Sequence, residues 1–375
     1  MINIASLCFA LLVFLHPYTT YPLSLWLFRA RDIRRGSGGV SPSLTLMFSA
    51  YNEEKSLPEK ISNIRAIKSL YPDIQVIAYC DLSSDRTLEL LEEANDVLEV
   101  VAAMKRTGKA TGMARMAAQA RGDVCVFTDA NVILDPQSIP TLRSYFTDPK
   151  IGGLAGSLHY TNDDASATAR VGGLYWRLDE KLKALESRCG SIMGADGSIF
   201  AIRRELYPQV PPHLLDDMTV SMAVPLSGLR LVFAPDVIAY EKNTTLSADE
   251  FRRKRRIACR AFNTHLHLWP AIREEFGPAD LYKYLSHKVV RWFGILPLLA
   301  VVTCAMISLL FAKLYLAIAG LLSVAAAVAG LGFLGISPFS VLLQILFALI
   351  ATFYGVLDSW RGQTYQTWTP AQSRS

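Results

Sequence analysis

The order of apolar and polar positions divides the chain into three kinds of segment. An apolar stretch over 2–28 opens it, interrupted by His16, Pro17, Thr19, Thr20 and Pro22. Three more apolar stretches, over 289–310, 314–334 and 340–357, close it. At 1.5 Å per residue each can cross a hydrocarbon layer of about 30 Å, the last only barely. Between them, short apolar runs alternate with amphipathic ones. The pattern predicts strands over 43–48 and 74–79, a helix over 52–69 between them, and a polar turn over 81–87 that caps a helix from Leu88. Strands over 97–102 and 124–128 flank a small-residue helix over 111–120. Repeated strand–helix units imply the α/β class, with a mostly parallel sheet covered by helices. Ligands of such sheets gather beyond the carboxyl ends of the strands. The polar clusters at 50–54, 81–85 and 129–131 all fall there.

Composition adds a membrane to this picture. Of 375 residues, 51% are hydrophobic, yet 19% are charged. That mixture predicts a polar domain joined to membrane segments. The net charge of +5 is too small to argue for nucleic acid, so none is expected as a partner. Placement of the charge says more. Arg29, Arg31, Arg34 and Arg35 follow the first apolar stretch. Arg252, Arg253, Lys254, Arg255, Arg256 and Arg260, then Lys283, Lys288 and Arg291, precede the next. The positive-inside rule then predicts a multi-pass protein of the cell (inner) membrane, its central region cytoplasmic and in contact with lipids. The first segment has no basic start and no small-residue cleavage site, which favours an uncleaved membrane helix, kinked at its prolines. "LYKYLSHKVVRW" over 281–292 mixes Leu, Tyr and Trp with Lys, His and Arg, which suits a helix lying in the interface. Three closing spans would put the C-terminal tail outside; two spans and an interfacial helix would put it inside. The six cysteines are far apart, without CxxC, as expected of reduced thiols. The organisation expected is a membrane helix over 1–30, an α/β domain over 40–265, interfacial helices over 266–292, membrane helices over 293–358 and a tail over 359–375.

Chemistry concentrates at the predicted strand ends. "SAYNEEKSLPEKI" places small and polar groups at a helix start, where an anion or a base edge can bind or where an Asn simply caps. In "YCDLSSDRT", Asp81 at a strand tip can accept from a base N–H, while Asp85 before Thr87 fits a turn. "RTGKATG" lacks the P-loop spacing, yet Lys109 between glycines can reach a diphosphate. In "VFTDANVILD" the run ends at Asp129, and Asn131 stands two residues on; one carboxylate with diphosphate oxygens and water completes an oxygen shell for Mg2+ or Mn2+. Asp216 and Asp217 precede an apolar helix, as caps or as a pair in which one acid is pushed up to serve as a general base. Arg253 and Arg256 share a helix face suited to lipid headgroups or to a diphosphate. The pair His265 and His267 has no nearby carboxylate and reads as interfacial packing.

In order, these motifs resemble the inverting family-2 glycosyltransferases of GT-A (Rossmann-like) fold, in particular the membrane-embedded branch with cellulose and hyaluronan synthases and ceramide glucosyltransferase. The resemblance covers about 43–292. It implies that Ala50, Tyr51 and Glu53 line the nucleotide pocket, with Asp81 on the base and Lys109 near the diphosphate. Asp129 and Asn131 stand where an aspartate–x–aspartate metal motif is expected. "MGADGSIFAIRREL", with Gly194 and Asp196, resembles the segment that shapes the acceptor entrance. Asp217 matches the catalytic base, and Arg253 and Arg256 the Gln/Arg-x-x-Arg-Trp motif. "LSHKVVRW" and "WTPAQSR" look like tail elements of the same branch. Three positions depart from the pattern: Asn131 for the second metal aspartate, Ile257 for the Trp that processive polymerases use, and Ala114 for an Asn. The implied activity is hexosyl transfer from a nucleoside-diphosphate sugar, a UDP-sugar foremost, to a hydroxyl of a lipid-linked or glycan acceptor in envelope, exopolysaccharide or glycolipid synthesis. The implied assembly is a homo-oligomer or a biosynthetic complex. Two alternatives stand beside it: a polyprenyl-phosphate sugar synthase, and a non-catalytic nucleotide-binding subunit.

Overall fold

Apolar helix α1 (Ile4–Leu15) opens the chain and leads through a 3-10 turn, His16–Tyr18, into short helix α2 (Thr20–Ser24). The two halves meet at 65°. The break falls just after Pro17, at Thr19, whose φ of −130° and ψ of −75° leave the helical region. The computed structural model describes residues 4–36, 41–162, 166–242 and 246–367.

The α/β region follows: β1 (Leu44–Ala50), α3 (Leu57–Leu70), β2 (Gln75–Cys80), α4 (Thr87–Glu93), β3 (Glu99–Ala102), α5 (Lys109–Gln119) and β4 (Val124–Asp129). Every residue of β1 is buried, because helices cover both faces of the sheet. Its period of two divides the core. Leu44, Leu46, Phe48 and Ala50 pack with Ile61 and Ile64 of α3, whereas Met47 packs with Met113 and Met116 of α5. The chain continues through β5 (Ile133–Leu134), α6 (Ser138–Tyr145), β6 (Ile151–Tyr160), α7 (Ala167–Cys189), β7 (Ile199–Arg203), α8 (Asp216–Leu226) and β8 (Arg230–Glu241). The eight described strands run in the order β3-β2-β1-β4-β7-β6-β8-β5. The α/β sheet expected from the sequence is present, and its first four strands are parallel. Its second half is mixed: β7 lies antiparallel to β4 and β6, while β6 and β8 are parallel.

Helix α9 (Ser247–Glu275) leads through α10 (Pro278–Tyr284), a π-helical turn at Leu285–Val289 and α11 (Val290–Trp292) into the apolar helices α12 (Ile295–Phe311), α13 (Tyr315–Phe333) and α14 (Phe339–Trp360). By length and composition α13 and α14 can each cross a membrane, and two bent pairs, in α1–α2 and α10–α12, raise the number to four. Yet α14 packs lengthwise on α9. Gln344 donates to Ser247 Oγ (2.7 Å), Arg255 pairs with Asp358 (2.6 and 2.8 Å) and Ser359 donates to Asn263 (2.6 Å). Gly355 lies so close to the α9 backbone that a Cβ would strike Arg255 and Ala258. Beyond α14, Gln363 O accepts from Asn263 Nδ2 (2.9 Å), and Gln366 Nε2 donates to Thr107 O (3.4 Å). The chain therefore returns to the carboxyl-end face of the sheet. The "WTPAQSR" element lies outside the described residues.

Candidate active site

The three polar clusters form one rim because their strands end level. Register pairs Ser49 with Asp129 and Ala50 with Cys80. The loops after β1 and β2 are then tied to each other. Asn52, at φ 52°, donates to Ser84 Oγ (3.1 Å) and accepts from Ser84 N (2.9 Å). Glu53 N donates to Thr87 Oγ1 (2.8 Å), Glu54 N to Asp85 Oδ2 (3.1 Å), and Ser56 Oγ to Glu53 Oε2 (3.0 Å). Ala50 is buried, and Tyr51 carries the Arg106 guanidinium 3.2 Å from its ring centre.

Asp81, which the sequence reading set on the base, is buried at this rim and faces the loop after β3. It accepts from Arg106 Nε (3.1 Å), Thr107 N (2.8 Å), Thr107 Oγ1 (3.2 Å) and Gly108 N (3.0 Å). A buried carboxylate needs donors, and the nearest are those of the loop it faces. Asp81 thus shapes the loop that presents Lys109. Gly108, at φ 86°, makes the turn.

Lys109 Nζ donates to Asp129 Oδ1 (2.6 Å) and lies 3.5 Å from Asp216 Oδ2. Arg260 reaches Asp216 Oδ1 from the other side (3.3 Å) and donates to Leu214 O. Burial would raise the Asp216 carboxyl, but Lys109 and Arg260 outweigh it and hold it below its ordinary value. Its neighbour Asp217 behaves oppositely. It makes no ion pair among the described residues, and burial together with the Asp216 charge pushes it up to about 7. Two adjacent acids with separated pKa values are the arrangement that general-base chemistry needs. Gly197 forms the floor: a Cβ there would sit 3.0 Å from Lys109 Nζ, 3.3 Å from Asp217 Oδ2 and 3.8 Å from Asp129 Oδ2.

A divalent cation has one protein carboxylate here. Among the described residues no cluster of three His, Cys, Asp or Glu could hold a metal. Asp129 Oδ1 is given to Lys109, leaving Oδ2 on the Gly197 side. Asn131 donates to Glu241 Oε1 (3.0 Å). One carboxylate oxygen fits Mg2+ or Mn2+ when diphosphate and water supply the remaining ligands.

The remaining sequence candidates have partners of their own. Arg253 pairs with Glu250 (2.8 and 3.1 Å), one turn back on α9. Arg256 is half-buried on the same helix. Asp196 accepts from Lys183 (2.8 Å) and from Ser198 N (3.2 Å). Gly194 takes φ 95°. Sequence reasoning missed Gly197, Arg260 and Lys60. Fully buried Lys60 lies behind the rim and donates to Val132 O (2.6 Å); burial lowers its amine to about 7. Its place on the Leu57–Ile61–Ile64 face was the available signal.

Strand tips carrying Asp81 and Asp129, with an acid pair on the facing helix, on this mixed sheet, are the architecture of a GT-A glycosyltransferase domain. The chain belongs to the family described as "Glycosyltransferase like family 2", whose profile matches residues 42–260. Poly-beta-1,6-N-acetyl-D-glucosamine synthase of Staphylococcus aureus (strain COL) is 26% identical over 202 residues, 51% of this chain and 48% of that protein. Undecaprenyl-phosphate 4-deoxy-4-formamido-L-arabinose transferase of Pseudomonas fluorescens (strain Pf0-1) is 35% identical over 104 residues, 26% of this chain and 31% of that protein. The chain spans about half the length, or less, of these curated relatives. A mannosyltransferase from Pyrobaculum calidifontis, solved with GDP-Man and Mn2+, shares the fold at a TM-score of 0.73 and 20% identity, over 96% of this chain and 99% of that one.

Proposed function

We propose that the chain is a membrane-bound inverting glycosyltransferase that moves a hexosyl group from a nucleoside-diphosphate sugar to a hydroxyl of a lipid-linked or glycan acceptor. The observation that carries this reading is the place of Asp217, an acid without an ion pair among the described residues and raised to about 7, across Gly197 from the Lys109–Asp129 pair. Asp217 takes the proton of the acceptor hydroxyl. The freed oxygen bonds the anomeric carbon as the carbon–oxygen bond to the diphosphate breaks, and that electron pair leaves with the diphosphate. Lys109 offsets the charge gathering on the leaving group. Mg2+ or Mn2+ held by Asp129 supplies further stabilisation of the same charge when bound. Inversion needs one base and no covalent nucleophile. Helices α12 and α13 hold the domain at the membrane, and the basic residues flanking the domain favour its cytoplasmic side. Membranes containing the protein, given a panel of radiolabelled UDP- and GDP-sugars with Mn2+, should label a lipid or polymer fraction with inverted anomeric configuration. Label only on a polyprenyl phosphate would assign phosphate, not hydroxyl, as the nucleophile. No label and no donor hydrolysis would overturn the assignment.

A further inference from the structure

The turn after β4 carries an amide, Asn131, where a second metal acid was expected, and the structure shows what that amide faces. Asn131 Nδ2 donates to Glu241 Oε1 (3.0 Å). The contact follows from the sheet. In the antiparallel pair β5–β8, Ile133 stands opposite Tyr240 and Leu134 opposite Ala239, so one step back along the chain from Ile133 leads to the level of Glu241. Glu241 ends β8, is buried, and is fixed on its other side as well. It stands opposite Tyr160 of β6, and Thr161 N donates to its carbonyl (3.0 Å). Burial would lower the Arg253 guanidinium, but the charge of Glu250, then those of Tyr160 and Glu241, raise it, so a cation of α9 backs the Glu241 carboxylate.

A carboxylate only accepts hydrogen bonds, whereas an amide has one accepting and one donating arm. Glu241 therefore decides which way the Asn131 amide points: Nδ2 turns to β8 and Oδ1 turns away from it. Oδ1 makes no hydrogen bond among the described residues. The backbone beneath is braced independently of Glu241. Val132 N donates to Asp129 O (3.2 Å) and closes the turn. Helix α3 holds the residues that follow, through Lys60 Nζ on Val132 O (2.6 Å) and Asn63 on the Leu134 carbonyl and N–H (2.8 and 3.0 Å). Asp129 and Asn131 are two residues apart, with at most about 7 Å between their Cα atoms, so one cation can touch both side chains. A hard cation takes an amide oxygen and not an amide nitrogen, so the direction of the amide decides whether Asn131 is a ligand.

We propose that Glu241 is a positioning residue of the donor site, holding the Asn131 amide so that its oxygen joins Asp129 on the divalent cation of the donor diphosphate. This rests on the transferase reading above. It makes Asn131 and Glu241 a matched pair, because a carboxylate at 131 would meet the Glu241 carboxylate with two acceptors face to face and no donor between them.

Titration calorimetry of the full chain in dodecyl maltoside tests it, with UDP and GDP as probes, each with and without Mn2+. The readout is the factor by which Mn2+ tightens nucleotide binding, which a merely structural role would not move. Asn131→Ala and Glu241→Met should each cut that factor about tenfold, the size expected when a metal ligand's support is lost. The two together should fall within about threefold of Asn131→Ala alone, since both remove the same ligand. Glu241→Gln, whose amide oxygen still accepts, should stay within about threefold of wild type. An unchanged factor in Asn131→Ala or in Glu241→Met would overturn the proposal, as would losses that multiply in the combined variant. Asn131→Ala leaves buried Glu241 in place, so the test stands even if Glu241→Met does not fold. A wild type whose nucleotide binding ignores Mn2+ would overturn this proposal alone. A wild type that binds neither nucleotide would overturn the donor-site reading with it.

Discussion

At the scale of residues, the account depends on two adjacent acids being unlike. Asp217 must be ionised to accept a proton, and it is raised to about 7. The rate of transfer should therefore fall as pH drops below about 7, about tenfold per pH unit, when kcat/KM is followed from pH 5 to 9. Asp216→Asn removes the like charge that helps raise Asp217, so the acid limb of that profile should move to lower pH. A limb that stayed in place or moved up would contradict the pairing. Gly197→Ala tests the floor: its methyl group would press on Lys109 Nζ and Asp217 Oδ2. Transfer should drop at least tenfold, with the thermal unfolding midpoint little changed. Legibility differed among these residues. Asp129, Lys109 and Asp217 could be found because each stands at a strand end or helix start with a local pattern. The engagement of Asp81 by the 106–108 loop and of Arg253 by Glu250 could not, because a sequence shows a polar group but not which neighbour satisfies it.

At the scale of elements, the parallel half of the sheet was legible and the rest was not. β1, β2 and β4 are apolar runs buried on both faces, and their carboxyl ends place the rim. β6, "IGGLAGSLHY", carries three glycines, and β7 has only five residues, so neither has a strong strand pattern. The join between α8 and α9 was equally hidden. Arg260 read as one of a run of juxtamembrane cations, yet it is buried on Asp216 and Leu214 O. Arg260→Met should leave Asp216 with one cation and cost roughly 3 kcal/mol of stability, within the range for breaking a buried pair. Denaturant unfolding of the detergent-solubilised chain checks it; an unchanged midpoint would mean that Lys109 alone suffices.

At the scale of the whole molecule, the apolar segments were plain from composition, but their arrangement was not. Hydropathy treats α13 and α14 alike. Packing separates them, because α14 lies along α9 and the segment after it returns to Thr107 in the loop that presents Lys109. The C-terminal end should then share the membrane side of the α/β domain. In a chain with Cys8 and Cys304 replaced by Ser, Thr367→Cys should resist a membrane-impermeant maleimide in intact cells and react once the membrane is opened. Labelling of intact cells would contradict that placement.

The central claim, that Asp217 is the base of a sugar transfer, is tested most directly by kcat/KM for transfer from the active donor, wild type against Asp217→Asn, with donor binding measured on both. Loss of one positioned base predicts a fall of about 10²–10⁴-fold with nucleotide affinity retained. Transfer by Asp217→Asn at the wild-type rate would contradict it.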